Sequence, residues 1–311
     1  MLGLFLRPDA AALIANMNLP DEITRHCAEV LFKGYTIFRG AVPSSECARV
    51  VETFRELETL NPDIFRENRD WSGHYPRIVN LHMVLPQLLT LFVRNERHLM
   101  VSDVLFGSRT SLYTSLFYET GSEQSIHRDS PMFATRPEYL YFGNTIYLED
   151  ADDENGCLEV IERGHLIPEL DREEMARQHY GSLGRVKPID VGLWDKYQNR
   201  LAEVCDERGL VKKKIHVSAG DSLIWHPQLP HGGSPIRDRK RTRFSLVVHS
   251  VPEGVPVYHQ DAFFRPNQAY QEVPQWNYLT FEGRKIADHR GGVSFGHVRD
   301  YPTSSFHSVP S

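Results

Sequence analysis

Apolar positions along the chain fall into two textures. In residues 10–31, Leu13, Ile14 and Met17, then Ile23, Ala28, Val30 and Leu31, recur at helical spacing and predict helix. A short β-type run, Tyr35-Thr36-Ile37-Phe38, follows Gly34 and closes at Arg39-Gly40. Pro43-Ser44-Ser45-Glu46 reads as a helix start with Ser44 as N-cap, and Ala48, Val51, Phe54 and Leu57 continue one face. Residues 61–78 are polar and aromatic and read as a loop, whereas 82–106 return to helical patterning.

From about residue 111 the apolar runs shorten: Leu112 to Tyr118, Tyr139 to Leu148, Leu158 to Ile161, Ile215 to Val217, Ser222 to Trp225 and Phe244 to Val248. Gly, Pro, Asp and Asn punctuate them, which is the pattern of an all-β sandwich or barrel. A polar, helical insertion occupies 169–212. The tail from 252 is rich in Pro, Gly and aromatic residues; it is expected to wrap the core irregularly, with its last dozen residues disordered. No internal repeat is present. The expected organisation is one domain, 1–311: a helical layer (1–110), a β core (111–250) and an irregular extension (251–311).

Composition narrows the classes. The 311 residues carry 35 Lys and Arg against 41 Asp and Glu, a net charge of −6, which argues against a nucleic-acid partner. Cys27, Cys47, Cys157 and Cys205 form no CxxC pair and read as buried free thiols of a reducing compartment. No apolar run approaches the length of a membrane span. The N-terminus has neither a basic start nor a long apolar stretch, so the cytoplasm is the expected location. Oligomeric state has no signature here.

Candidate chemistry begins at His127-Arg128-Asp129. An HxD tripeptide is expected about once by chance in a chain with this many His and Asp, and His259-Gln260-Asp261 is such a decoy. Context separates them: His127 follows a strand and turn, and another strand begins near Tyr139. In an extended segment alternate residues share a face, so His127 and Asp129 can reach one ion with Arg128 turned away. A non-haem Fe(II) site needs a second histidine and open positions. His231, in the stretch Gly220 to Gly232, is the best candidate, with His226 a nearby rival. Beyond it, Arg241, Arg243 and Ser245 would share a strand face. A guanidinium there can grip the far end of a dicarboxylate, whereas Arg237, Arg239 and Lys240 read as a solvated turn.

Together these segments resemble the phytanoyl-CoA dioxygenase family of Fe(II)/2-oxoglutarate oxygenases. The resemblance runs from Gly34-Tyr35 and Arg39-Gly40-Ala41-Val42-Pro43, through His127-Arg128-Asp129-Ser130-Pro131, Leu148-Glu149-Asp150-Ala151, Glu154-Asn155-Gly156-Cys157-Leu158 and Gly164-His165, to Gly220-Asp221, Trp225-His226 and His231-Gly232. It departs where Arg163 precedes Gly164-His165 and where Arg243 stands in place of a small residue.

The resemblance implies a mainly β fold with α: a double-stranded β-helix, a jelly-roll relative, buttressed by the N-terminal helices, with 169–212 covering its mouth. It implies Fe(II) held by His127, Asp129 and His231, with 2-oxoglutarate and O2 as co-substrates. Arg241 is the preferred anchor of the 2-oxoglutarate tail, with Arg243 second and Ser245 its helper. Thr145 and Tyr147 share a strand face and either pack or touch 2-oxoglutarate; His165 stands near the metal, and Trp225 packs in the core. Asp129 favours hydroxylation over halogenation, with desaturation or ring formation open to the same iron. The expected partner is a small polar metabolite, hinted by Arg66, Arg69, His74, Arg128 and Arg136. Two rival classes are a non-catalytic jelly-roll binding protein and a cupin-like metalloenzyme that uses no 2-oxoglutarate.

Overall fold

The computed structural model describes residues 2–268, 274–289 and 292–309. The N-terminal part contributes α1 (Ala10–Ala15), α2 (Asp21–Lys33), β1 (Tyr35–Phe38), α3 (Ser44–Leu60), α4 (Pro62–Glu67), β2 (Ile78–Val79), α5 (Gln87–Arg94) and α6 (Glu96–Phe106). The core follows with β3 (Thr110–Tyr118), β4 (Ala134–Thr135), β5 (Phe142–Tyr147) and β6 (Leu158–Ile161), then α7 (Arg172–Tyr180), α8 (Val191–Glu207), β7 (Lys212–Ile215), β8 (Ser222–Trp225), β9 (His231–Gly233) and β10 (Ser245–Pro252). The tail adds β11 (Val257–Tyr258), α9 (Gln260–Phe264), β12 (Tyr278–Phe281), β13 (Arg284–Ala287), β14 (Val293–Phe295) and β15 (Arg299–Tyr301).

Two sheets enclose the interior. The larger runs β1-β8-β5-β10-β3-β2-β14-β15, and β13 joins β3 at Ile286–Leu112. The smaller is β7-β6-β9, extended by a bridge between His127 and His231. The N-terminal helices cover the outer face of the large sheet. Val50, Phe54 and Leu57 of α3 and Leu88 and Phe92 of α5 pack with Phe117, Ile146, Leu246 and Val248. Val30 of α2 and Val101 and Leu105 of α6 pack with Phe38, Phe142 and Ile224. β5 is therefore buried on both faces, and its inward residues are Gly143, Thr145 and Tyr147. Removing a ring such as Phe54 from this layer costs about 3–5 kcal/mol.

Several local expectations are corrected. The helix expected over 10–31 is two helices, because Pro20 lacks an N–H and restricts Leu19, so the chain turns between Asn16 and Pro20. Ser44 is the first helical residue rather than the cap; Pro43 flanks the helix and no side chain caps it. The 61–78 loop contains α4, started by Pro62 at a helix's first position. The strand expected at Ile215–Val217 lies earlier, at Lys212–Ile215, where exposed lysines mark a sheet edge. The tail is not irregular: β14 pairs with β2 and β15, and β12 with β13. Of the last dozen residues, 300–309 are ordered on the core, with the His307 N–H donating to Asn61 Oδ1 at 2.7 Å; 310 and 311 lie outside the described residues. The 169–212 insertion is helical as expected, and Asp171 and Asp190 cap α7 and α8 by accepting from the N–H groups of Glu174 and Leu193.

Candidate metal centre

The segment before His127 runs antiparallel to β9. The His127 N–H donates to the His231 carbonyl (2.8 Å), and the His231 N–H returns the bond (3.0 Å). This reciprocal pair sets the two rings 4.5 Å apart. Asp129, two residues on, turns its carboxylate between them: Oδ1 lies 3.4 Å from His127 Nε2 and Oδ2 3.4 Å from His231 Nε2. One ligand atom from each of the three falls within 4.8 Å of the others.

The tautomers are fixed from behind. His127 Nδ1 faces the Ser125 carbonyl (2.8 Å) and His231 Nδ1 the Leu229 carbonyl (3.0 Å). A carbonyl only accepts, so each Nδ1 carries the proton and each Nε2 of the neutral ring presents a lone pair. Burial pushes His231 down to about 4, against the pull of Asp129, so its ring is neutral near pH 7. Burial alone would raise the Asp129 carboxyl, but the charge that the neighbouring imidazoles carry when protonated, and a hydrogen bond from His249, hold it well below the usual carboxylate range. Two lone pairs converging on a carboxylate repel one another unless a cation lies among them. The donor set, two imidazole nitrogens and one carboxylate, fits a divalent iron with open positions.

A second layer holds Asp129. The Trp225 indole N–H donates to Oδ2 (3.3 Å), so Trp225 does more than pack. His249 Nε2 meets the same oxygen at 3.3 Å, with its ring stacked on Phe133 at 3.9 Å. Gly143 makes room for the indole: a Cβ there would meet Trp225 ring atoms at 2.0 to 2.4 Å. Arg128 locks the arm from the other side. Its guanidinium, with no solvent exposure, donates to the carbonyls of Gln228 (2.8 Å), Gly164 (3.0 Å) and Ile167 (3.2 Å), and lies 3.7 Å from Glu169. The Gln198 amide of α8 pairs with both backbone groups of Arg128, at 2.9 Å each. The insertion thus clamps the ligand arm as well as covering it.

The two arginines part company. Arg241 lies in the turn before β10, where side chains do not yet alternate, and its half-exposed guanidinium makes a two-point pair with Asp152 at 3.0 and 3.0 Å. The preference for Arg241 is therefore reversed. Arg243 is 6% exposed, and its N–H continues the ladder to the Glu119 carbonyl. Its guanidinium donates to the Gly156 carbonyl (2.9 Å) and Ser245 Oγ (3.4 Å), while Nε has no partner. Among the described residues no carboxylate pairs with it. Ser245, Val247 and His249 continue its inward face; Tyr147 stands opposite Ser245, and Thr145 opposite Val247. Asn144 faces the other way, donating to the Val248 carbonyl (3.1 Å) and Ser250 Oγ (2.8 Å).

Other expectations fail. His165 bonds the Leu31 carbonyl at 3.0 Å and packs on His226, whose ring also meets Phe5, so both belong to a separate layer from the triad. The decoy His259-Gln260-Asp261 opens α9, and Asp261 pairs with Arg265. The basic scatter is consumed by the protein: Arg66 pairs with Asp63, Arg69 with Glu58, His74 with Glu119, Arg136 with Glu138, and Arg128 is a staple. Sequence reasoning missed Gln198, Tyr118 and His249. Tyr118 is half-buried near the charges of both Asp129 and Arg243, and burial raises its phenol. His249 was reachable, since alternation from Arg243 through Ser245 and Val247 ends on it.

The family model for phytanoyl-CoA dioxygenase (PhyH) matches residues 32–244. A comparison with curated proteins finds no match. Among solved structures, the chain resembles the epimerase SnoN in complex with Fe3+, alpha-ketoglutarate and nogalamycin RO (16% identity, 86% of this chain and 99% of that one, TM-score 0.58). It also resembles the carbocyclase SnoK from nogalamycin biosynthesis (16%, 84% and 95%, TM-score 0.58). A third is EctD from S. alaskensis with 2-oxoglutarate and 5-hydroxyectoine (16%, 79% and 81%, TM-score 0.55). At these identities the likeness concerns the fold, a double-stranded β-helix. No helix among the described residues is long and apolar enough to cross a membrane.

Proposed function

The chain belongs to the phytanoyl-CoA dioxygenase family, a family of non-haem iron, 2-oxoglutarate-dependent oxygenases, and on that premise we propose that it binds Fe(II) through His127, Asp129 and His231 and hydroxylates a C–H bond of a small polar metabolite. One observation carries this reading: a His/His/carboxylate cluster and a buried guanidinium without a counter-anion among the described residues share one barrel interior. A buried charge left unpaired is costly, so Arg243 calls for an anion from outside the chain. The distal carboxylate of 2-oxoglutarate answers it as a charge-assisted pair, with Ser245 as neighbour and Thr145 and Tyr147 walling the space. Related proteins solved with iron and alpha-ketoglutarate, or with 2-oxoglutarate, lend support.

When bound, the iron supplies activation of O2 coupled to decarboxylation of 2-oxoglutarate. The balance is substrate C–H plus O2 plus 2-oxoglutarate giving C–OH, succinate and CO2, one oxygen atom in each of the first two products. The chain's own residues set geometry. Trp225 and His249 fix the Asp129 carboxylate, the Ser125 and Leu229 carbonyls fix the imidazole tautomers, and Arg243 fixes the co-substrate's orientation. The apolar interior around Tyr35, Leu223 and Leu229 keeps water away. Asp129 occupies the position that a halide would need, which favours hydroxylation. The unit is read as one domain, since β1 and β2 from the N-terminal part and β13 and β14 from the tail complete the core sheet. The four cysteines are all free and buried, in keeping with a cytoplasmic setting.

The test is anaerobic titration of Fe(II)-loaded protein with 2-oxoglutarate, read by the visible charge-transfer band of the chelate, followed by succinate release on admitting O2. Asp129→Ala is expected to lose the band and to lower succinate release by more than about 100-fold. An unchanged band would overturn the ligand assignment.

A further inference from the structure

Outside the triad, the described residues hold one other grouping of three metal-ligating side chains. Asp153, Cys157 and His216 each offer an atom within 4.8 Å of the others. The small sheet places two of them. Leu158 stands opposite Ile215 in the β6–β7 register, and one step on Cys157 stands beside His216. On its other side Leu158 stands opposite Gly233 of β9, so Cys157 also stands beside Ser234. The Ser234 N–H donates to the Cys157 carbonyl (2.9 Å), and the two side chains meet at 3.5 Å. Directly opposed residues share a face of a sheet. Asp153 comes from the turn that leads into β6. The Cys157 N–H closes that turn on the Asp152 carbonyl (3.1 Å), and the Asp152 N–H donates to Asn155 Oδ1 (2.9 Å). Asp153 Oδ1 is thereby brought to 3.4 Å from His216 Nε2.

The donor set is specific. Around a tetrahedral ion with bonds of about 2.0–2.3 Å, neighbouring ligand atoms stand roughly 3.3–3.8 Å apart. The Asp153–His216 separation already falls in that range. Sulfur with imidazole suits zinc-like ions, whereas Mg(II) and Ca(II) take oxygen. The triad has no sulfur, so the two groupings suit different metals. Among the described residues no other cysteine belongs to such a grouping. The Cys157 thiol is fully buried and burial raises it, so it keeps its proton until a metal ion displaces that proton to solvent. A cation already stands at the place. Lys214 lies two residues before His216 on the same face of β7. Its ammonium sits 2.7 Å from Asp153 Oδ1, close enough to Cys157 for their charges to interact. Both side chains of this pair are over a third exposed. An ion pair so placed is weak and screened, so a divalent ion can take the place of Lys214 without disturbing the core.

We propose that Asp153, Cys157 and His216 form a second metal site, which takes a thiophilic divalent cation of the Zn(II) class in exchange for Lys214. Three protein donors leave one position of a tetrahedral ion to solvent, and Ser234 donates its hydroxyl to the thiolate as an outer partner. The ion ties the turn before β6 to β7. That turn also carries the Gly156 carbonyl that accepts from Arg243 (2.9 Å).

The experiment titrates full-length, metal-free protein with Co(II) under anaerobic conditions and follows the near-ultraviolet thiolate-to-cobalt band. His127, Asp129 and His231 contain no sulfur, so the band reports the second site alone, while equilibrium dialysis counts both. The parent should bind two equivalents and develop the band; Zn(II) should erase it, and excess Mg(II) should not. Cys157→Ser should lose the band and keep one equivalent. His216→Ala, at a side chain more than half exposed, and Asp153→Asn should each weaken cobalt binding at this site about tenfold or more. Lys214→Met should tighten it about two- to fivefold. Circular dichroism confirms the fold of each variant. A parent without the band, a band that survives Cys157→Ser, or one that titrates unchanged in His216→Ala overturns the proposal. So does a Lys214→Met protein that binds cobalt no more tightly than the parent. Asp129→Ala should keep the band and lose the other equivalent. A parent that shows the band but binds only one equivalent would sink the oxygenase reading and leave this site standing.

Discussion

Arg128 and Arg243 are both buried guanidinium groups of the barrel, and they differ in what surrounds them. Arg128 has three carbonyl acceptors, a glutamate 3.7 Å from the one nitrogen (Nη1) that makes no hydrogen bond, and a backbone gripped by Gln198. Arg243 has one carbonyl, one long contact to a hydroxyl, and an unpartnered Nε. A charge answered by a carboxylate of the chain is a structural fixture. One that no carboxylate among the described residues answers is open to an anion from outside. Arg128 fixes the arm that carries His127 and Asp129, whereas Arg243 leaves its anion to be supplied.

The sharpest way to break this comparison is to delete each charge. Arg128→Met leaves three carbonyls and Glu169 unanswered and is expected to cost about 3–5 kcal/mol of stability, measured by urea unfolding. Arg243→Met removes no protein ion pair and should leave the urea midpoint close to the parent's. It should raise the KM for 2-oxoglutarate about 10- to 150-fold, the equivalent of one charged hydrogen-bond set at about 1.5–3 kcal/mol. Arg241→Ala, at the surface, should shift stability by no more than about 0.5 kcal/mol and leave that KM in place. A KM effect at Arg241 and none at Arg243 would invert the assignment.

Gln198→Ala tests whether the clamp on Arg128 reaches the metal. Metal affinity, measured by titration, is expected to fall about 10- to 100-fold, as when an outer partner of a ligand is lost. Gln198→Glu keeps the acceptor for the Arg128 N–H but not the donor for its carbonyl, and should fall between.

A separate effect concerns buried groups that stay neutral. Burial pushes His82 and His98 down to about 3. The unfolded chain takes up protons below pH 6.5 that the folded chain refuses, so stability falls as pH drops from 6.5 towards 3. Each histidine contributes at most about 1.4 kcal/mol per pH unit. Urea unfolding at pH 7 and pH 5 should show the loss, and His82→Gln should flatten it.

Much of this was legible in residue order. Tyr35–Phe38, Leu158–Ile161 and Ser222–Trp225 are strands at the positions their apolar runs indicate. His127, Asp129 and His231 converge because alternation in extended chain is local and simple. Arg241 misled because a turn breaks that alternation, and nothing in the sequence names Asp152 as its partner. Gln198 was hidden because its contact spans α8 to the ligand arm, and an exposed-looking helix gives no hint of such a reach. The tail strands were hidden because β2 and β14 are only two and three residues long. Such short pieces are strands only because each other's backbone is there to bond with.

The late arrival of β14 has a consequence for biosynthesis. The three proposed ligands have all left the ribosome once His231 emerges, yet β2 waits beside β3 for a neighbour that follows about sixty residues later. Domains assemble during translation at about 5–20 residues per second. A nascent chain can therefore bring its three proposed ligands together before the outer strands of the large sheet exist. Truncation between β10 and β14 is expected to leave a protein that still takes up metal while the β2 edge lacks its partner strand.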